Sequence, residues 1–178
     1  MTDQTNTPSL MGRRHYVIAT DGSCNPNPGT GGWGAVIQLR EGETVLRQRA
    51  VAGQGEMMTS TNNKMEMTAA LRGLEVLAEP LPVTIISDSE YVINGMTGGL
   101  EKWKAAGWKN SKGPVKNQEL WEQLDRLSRV HAVEWVWQRG HVGHDLNEIA
   151  HQLASNGAQG MYRSGVKSVR RRHPDWFW

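Results

Sequence analysis

Hydrophobic and polar positions alternate through the first third of the chain and then switch to a helical period. Residues 15–20, 34–40 and 43–51 read as three strands, joined by Gly-, Pro- and Asn-rich connections short enough for an antiparallel meander. Met67, Ala70, Leu71, Leu74 and Leu77 then fall on one helical face. The polar run Thr59, Ser60, Thr61, Asn62 supplies capping residues for that helix, and Pro80 and Pro82 stop it near Glu79. Residues 83–87 form a short β-branched strand, and 89–96 a short helix closed by Gly98 and Gly99. An amphipathic helix follows at 117–130, with Leu120, Trp121, Leu124 and Leu127 on one face, then a strand at 132–138 and a last helix from Asp145. This order predicts an α/β fold, a five-stranded mixed sheet with an antiparallel meander first and parallel strands after it, flanked by helices. Residues 1–14 are expected as a flexible extension, 15–158 as one domain, and 159–178 as a basic, aromatic tail that reads as disordered.

Composition narrows the class. The 178 residues suit about one domain, and with 38% apolar residues the chain can bury a core. The lone Cys24 excludes an internal disulfide, and the Cys/His spacing of a zinc site is absent. No apolar run approaches the ~20 residues that span a bilayer, and the polar start is not signal-like. The expectation is a cytoplasmic monomer with no membrane partner. The net charge of +2 hides a strong asymmetry: residues 161–178 carry +4, which leaves the first 160 at −2. Within that acidic body, residues 102–118 hold five lysines and no acid. Two basic segments on an acidic body suit a polyanionic partner, although a solvated loop and tail give the same count.

Three acids stand out by position. Asp21 ends the first strand, Glu66 lies early in the first long helix, and Asp88 ends the buried strand VTIISD. Loops beyond the carboxyl ends of parallel strands carry chemistry. Converging carboxylates repel unless a cation lies between them, and Mg²⁺ takes oxygen ligands together with substrate phosphate oxygens. Acids beside basic segments therefore suit metal-assisted phosphodiester chemistry. Each acid alone has a plainer reading: Asp21-Gly22 as a turn, Glu66 as a solvated helix residue, Asp88 as a helix cap.

The joint pattern is more specific. TDGSCNPNPGTGGWGAV, TNNKMEM, SDSEYV, WKAAGWKNSKGPVKNQELWEQLD and WVWQRGHVGHDLNE together resemble bacterial ribonuclease HI, in matching order over residues 16–157. The resemblance implies endonucleolytic hydrolysis of the RNA strand of an RNA–DNA hybrid duplex, leaving 5′-phosphate and 3′-hydroxyl ends. It implies two Mg²⁺ ions, with Mn²⁺ as a substitute, about 3.5 to 4 Å apart across the phosphate. Asp21, Glu66 and Asp88 match three of the family's four metal-binding acids, and Glu66 would also sense the RNA 2′-hydroxyl. His141 matches a loop histidine between Gly140 and Gly143, suited to proton transfer or product release. Trp103, Lys104, Trp108 and Lys109 fall in a segment that resembles the family's basic protrusion along the DNA strand. Asn27, Thr61, Asn62, Asn63 and Asn117 match backbone-contacting or 2′-hydroxyl-contacting positions, and Arg139 precedes the histidine loop. Trp121, Trp135 and Trp137 are assigned mainly to packing, and one of Trp103 and Trp108 to the core of the protrusion.

One departure matters. His151 stands where the family has its fourth metal-binding aspartate, and neutral imidazole is a poor Mg²⁺ ligand. A hybrid-binding protein without turnover is therefore a rival reading; a DNA-cleaving relative of the same fold is another, disfavoured by the lysine segment and TNNKMEM. The tail 159–178 lies beyond the resemblance, and its arginines and aromatics could add nucleic-acid or protein contacts.

Overall fold

The computed structural model describes residues 12–139 and 145–176. Strands β1 (Arg14–Cys24), β2 (Gly31–Glu41) and β3 (Thr44–Gln54) form the expected meander, each longer than its apolar core suggests. After helix α1 (Asn62–Glu75), strand β4 (Val83–Ser87) pairs in parallel with β1. The strand β7 (Val133–Trp137) then pairs in parallel with β4, giving the order β3-β2-β1-β4-β7. A small ribbon, β5 (Lys109–Asn110) with β6 (Gly113–Pro114), stands apart within the lysine segment. Helix α4 (Gln118–His131) leads from that ribbon into β7. No helix among the described residues is long and apolar enough to cross a membrane.

The helices divide the core between the two faces of the sheet. On one face, Ile18, Ile37, Met67, Leu74, Ile85, Trp121 and Leu124 pack between the sheet, α1 and α4. On the other, Val36 and Ala50 meet Ala150 and Leu153 of α5 (Asp145–Ala158).

Four expectations change. Helix α1 ends at Glu75 rather than near Glu79, although Val76 and Leu77 still pack on the core. Gly98 and Gly99 do not close a helix. The chain runs from α2 (Glu90–Asn94) through a π-helical turn at Gly95–Gly99 straight into α3 (Leu100–Ala105). Gly99 keeps right-handed helical angles (φ −67°, ψ −44°), so the left-handed cap that stops a helix never forms.

The tail is the third correction. Residues Tyr162–Arg172 form helix α6, docked on α5 and β3, instead of a disordered end. Gly165 and Val169 are buried, Val166 packs against the same cluster, and Trp176 beyond the helix is only 5% exposed. Two valines and a glycine at helical spacing supply the docking face; among five cations that signal is faint in sequence. Trp137 differs as well. It is 48% exposed, and its indole N–H donates to the Asp88 backbone carbonyl at 3.2 Å, whereas Trp121 is fully buried as packing requires.

Candidate active site

The sheet register sets two of the acids side by side. Ala19 of β1 pairs with Ile86 of β4; two residues further along each strand come Asp21 and Asp88. Across the meander Asp21 pairs with Gly34 of β2. Ser89 caps α2, its hydroxyl accepting from the Val92 N–H, so the Asp88 carboxylate is not consumed as a cap. Asp21 lies within β1 rather than in a turn.

Two glycines allow the helices to reach this edge. A Cβ on Gly22 would lie 2.3 Å from the Glu66 backbone nitrogen and 2.5 Å from the Met65 carbonyl carbon. Strand β1 thus meets α1 backbone to backbone, and that contact carries Glu66 over Asp21. On the opposite face, a Cβ on Gly34 would lie 2.6 Å from the Ala150 carbonyl oxygen, so α5 rests directly on β2. That contact sets His151 against Asp21. The His151 Nδ1–H donates to Asp21 Oδ2 at 2.6 Å, while Oδ1 accepts from the Gly22 N–H at 2.8 Å.

One carboxylate oxygen from each of Asp21, Glu66 and Asp88 lies within 4.8 Å of the others. Burial, then the neighbouring charges of Asp21 and Asp88, raises the Glu66 pKa well above its ordinary value. Burial also raises the Asp21 pKa, followed by the charge of Asp88; the hydrogen bond from His151 works against it. Glu66 Oε2 is buried without a hydrogen-bond partner. A buried, unmatched oxygen beside two more carboxylates fits a hard divalent cation, which restores the charge balance that protein neighbours leave open. His151 adds no oxygen; it holds Asp21 in place.

Five of the ten expected nucleic-acid residues converge on a cleft of about 740 Å³; Asn62, Lys104, Trp108, Lys109 and Arg139 do not line it. Asn27, Thr61, Asn63, Trp103 and Asn117 all line it, with Lys112 and Tyr91. Asn27 Oδ1 accepts from the exposed Asn62 N–H at 3.3 Å, and the Asn117 side-chain amide donates to the Tyr91 hydroxyl at 3.0 Å. Asn117 turns the chain into α4 at φ +60°, a left-handed conformation that Asn tolerates. Trp103 stacks obliquely on Trp121 at 5.2 Å, and Trp108 packs on the same core, so both tryptophans are partly structural.

Lys104 is not a free cation. It donates to Asp125 at 3.0 Å and Glu101 at 3.2 Å, and the hydrogen bond it makes to the Asp125 carboxylate raises its pKa. Lys109 and Arg139 are exposed. His141 lies outside the described residues. The sequence reading missed Tyr91, although it follows SDSE at helical spacing beside Asp88, and misjudged Trp137, which pins the end of β4.

The chain is similar to known proteins over most of its length. The RNase H family model matches residues 13–159. A ribonuclease H of Ruegeria sp. (strain TM1040) is 51% identical over 150 residues, which is 84% of this chain and 94% of that protein. Among solved structures, LC9-RNase H1, described as a type 1 RNase H with the type 2 active-site motif, is 30% identical with a TM-score of 0.72, over 85% of this chain and 75% of that one. LC11-RNase H1 in complex with RNA/DNA hybrid shares the fold at 23% identity and a TM-score of 0.56, over 82% of this chain and 97% of that one.

Proposed function

Because this chain belongs to the RNase H family, we propose that its metal-dependent hydrolysis of the RNA strand of RNA–DNA hybrids runs through Asp21, Glu66 and Asp88. The observation that carries this assignment is the convergence of the three carboxylates within 4.8 Å, with Glu66 Oε2 unmatched. These acids would hold divalent cations, Mg²⁺ or Mn²⁺, which when bound would offset the charge of the phosphodiester and activate water for hydrolysis.

The chain's own residues do the rest. Asp21, fixed by His151 and the Gly22 amide, keeps one carboxylate orientation. Glu66 enters from α1, where it also meets the RNA 2′-hydroxyl, the group that marks RNA. Asp88 is the exposed member of the three and faces the incoming strand. The attacking water gives up a proton as its oxygen bonds to phosphorus and the P–O3′ bond breaks; the leaving 3′-oxygen takes up a proton in turn, which His141 supplies or relays, so no net proton is gained or lost. The products are a 5′-phosphate and a 3′-hydroxyl. Asn27, Thr61, Asn63, Trp103 and Asn117 seat the duplex in the cleft, Asn62 supports them through its N–H to Asn27, and Lys109 and Arg139 attract its phosphates. Lys104 takes the smaller role of bracing the protrusion through Asp125. The enzyme acts as a cytoplasmic monomer.

The test is cleavage of a labelled RNA–DNA hybrid with Mg²⁺ and with Mn²⁺, for the protein beside Glu66→Gln and His151→Asp. Cut RNA that disappears in Glu66→Gln is expected; hybrid binding without any cut strand overturns the assignment. His151→Asp restores an oxygen donor, so it is expected to shift the metal preference towards Mg²⁺. Unchanged metal dependence and turnover would show that His151 does not affect cation binding.

A further inference from the structure

We propose that the outward face of α6 is a second phosphate-binding surface, which takes the backbone of the hybrid where it flanks the cleaved site. The proposal rests on the hybrid being the substrate, and on four observations. First, the helix is docked: Val169 is fully buried, and a Cβ on Gly165 would lie 2.7 Å from the Asn156 side chain. Its valines are used against α5 and β3 rather than offered to a lipid surface.

Second, what remains outward is cationic. Arg163, Lys167, Arg170 and Arg171 are all exposed, at helical spacing, and α6 contains no acid. Among the described residues no ion pair joins any of the four to a carboxylate. Like charges within two turns of a helix repel, and a polyanion relieves that repulsion. Three of the four are arginines, whose planar fork matches phosphate oxygens.

Third, α6 is tied to the catalytic edge. The Arg172 guanidinium donates to Gln152 Oε1 at 3.1 Å, and Gln152 follows His151, whose ring holds Asp21. Fourth, the two basic surfaces lie on opposite sides of the sheet. The lysine segment packs with α4 against one face and α6 with α5 against the other, with the acids at the edge between them. A duplex engaged by both is held on either side of the cut phosphate.

The experiment measures affinity for an RNA–DNA hybrid of about 30 base pairs, in EDTA, as a function of salt. It compares the full chain with a variant in which Arg163, Lys167, Arg170 and Arg171 are all alanine, and with a second in which they are glutamine. Each phosphate contact contributes roughly 0.9 to the slope of log K against log salt, so both variants should lose about 2 to 4 from that slope. Turnover at saturating hybrid should be unchanged, and Tm should not fall, since the substitutions remove like-charge repulsion. An unchanged slope overturns the proposal, and so does an unchanged slope accompanied by binding of the parent chain, but not the variants, to anionic phospholipid vesicles. Lys109→Ala/Lys112→Ala serves as a control for the substrate itself. If that variant keeps its slope and the parent chain cuts no RNA, the reading of the substrate fails; if it loses slope while the α6 variants do not, only the role of α6 fails.

Discussion

At the acidic edge the backbones of β1 and α1 touch at Gly22, where even a methyl group has no room. In and around the lysine segment, by contrast, Gly98, Gly107 and Gly113 have open space at the position a Cβ would take. The two regions handle charge in opposite ways. The acids are useful only if three oxygens converge on one cation, so their supports are backbone contacts with a tolerance of tenths of an ångström. The lysines act through a long-range attraction that depends on how many there are near the duplex, and a two-strand ribbon with exposed side chains is sufficient. At these glycines, close backbone contact goes with the acids and open space with the ribbon that holds the polymer.

The most severe way to break the acidic region is Asp21→Asn. It removes the acid that His151 and Gly22 orient, and single-turnover hybrid cleavage should fall by about 10³-fold or more, equivalent to roughly 4 kcal/mol of transition-state stabilisation. Gly22→Ala tests the packing itself. The added methyl group must push α1 away from β1, which should cost roughly 1–3 kcal/mol of stability by denaturant unfolding and lower cleavage as well. Gly98→Ala, in open space, should cost nothing by the same measurement.

The next test concerns pH. The Glu66 pKa is raised in the folded protein above its ordinary 4.5, so without metal the folded state keeps a proton that the unfolded chain releases. Metal-free stability should therefore fall as pH rises from about 4.5 through the raised value. Thermal unfolding in EDTA at several pH values checks this. Glu66→Gln should flatten the dependence, raise Tm near neutral pH, and abolish the Tm gain on adding Mg²⁺. The smallest effect belongs to the loose region: Lys109→Ala or Lys112→Ala should each reduce the salt slope of hybrid binding by roughly 0.9 and leave saturated turnover unchanged.

Much of the site was legible before the fold was seen. Asp21 and Asp88 announce themselves where apolar strand patterns stop, although β1 in fact runs on to Cys24, and the asparagines of the cleft are readable because TNNKMEM and NPNPG carry them in recognisable contexts. The misreadings share a cause. Gly98-Gly99 looks like a helix stop, but glycine only permits a left-handed cap, and packing of the following helix decided otherwise. Trp137 looks like packing because tryptophan usually is, yet its indole is spent on the Asp88 carbonyl. Lys104 looks like a phosphate ligand, but Asp125, 21 residues on, had already claimed it.

The sequence by itself determined the meander, the order of the five strands of the main sheet, the acids and the polarity of the two basic segments. These follow from local periodicity and from residue types that carry their chemistry wherever they stand. Tertiary structure alone decided that β1 and α1 would touch at Gly22, that His151 would grip Asp21 across 130 residues, and that the arginine-rich end would fold as a docked helix. Each of these depends on a contact between distant segments, which is fixed by how the two faces of the sheet are filled rather than by any local pattern.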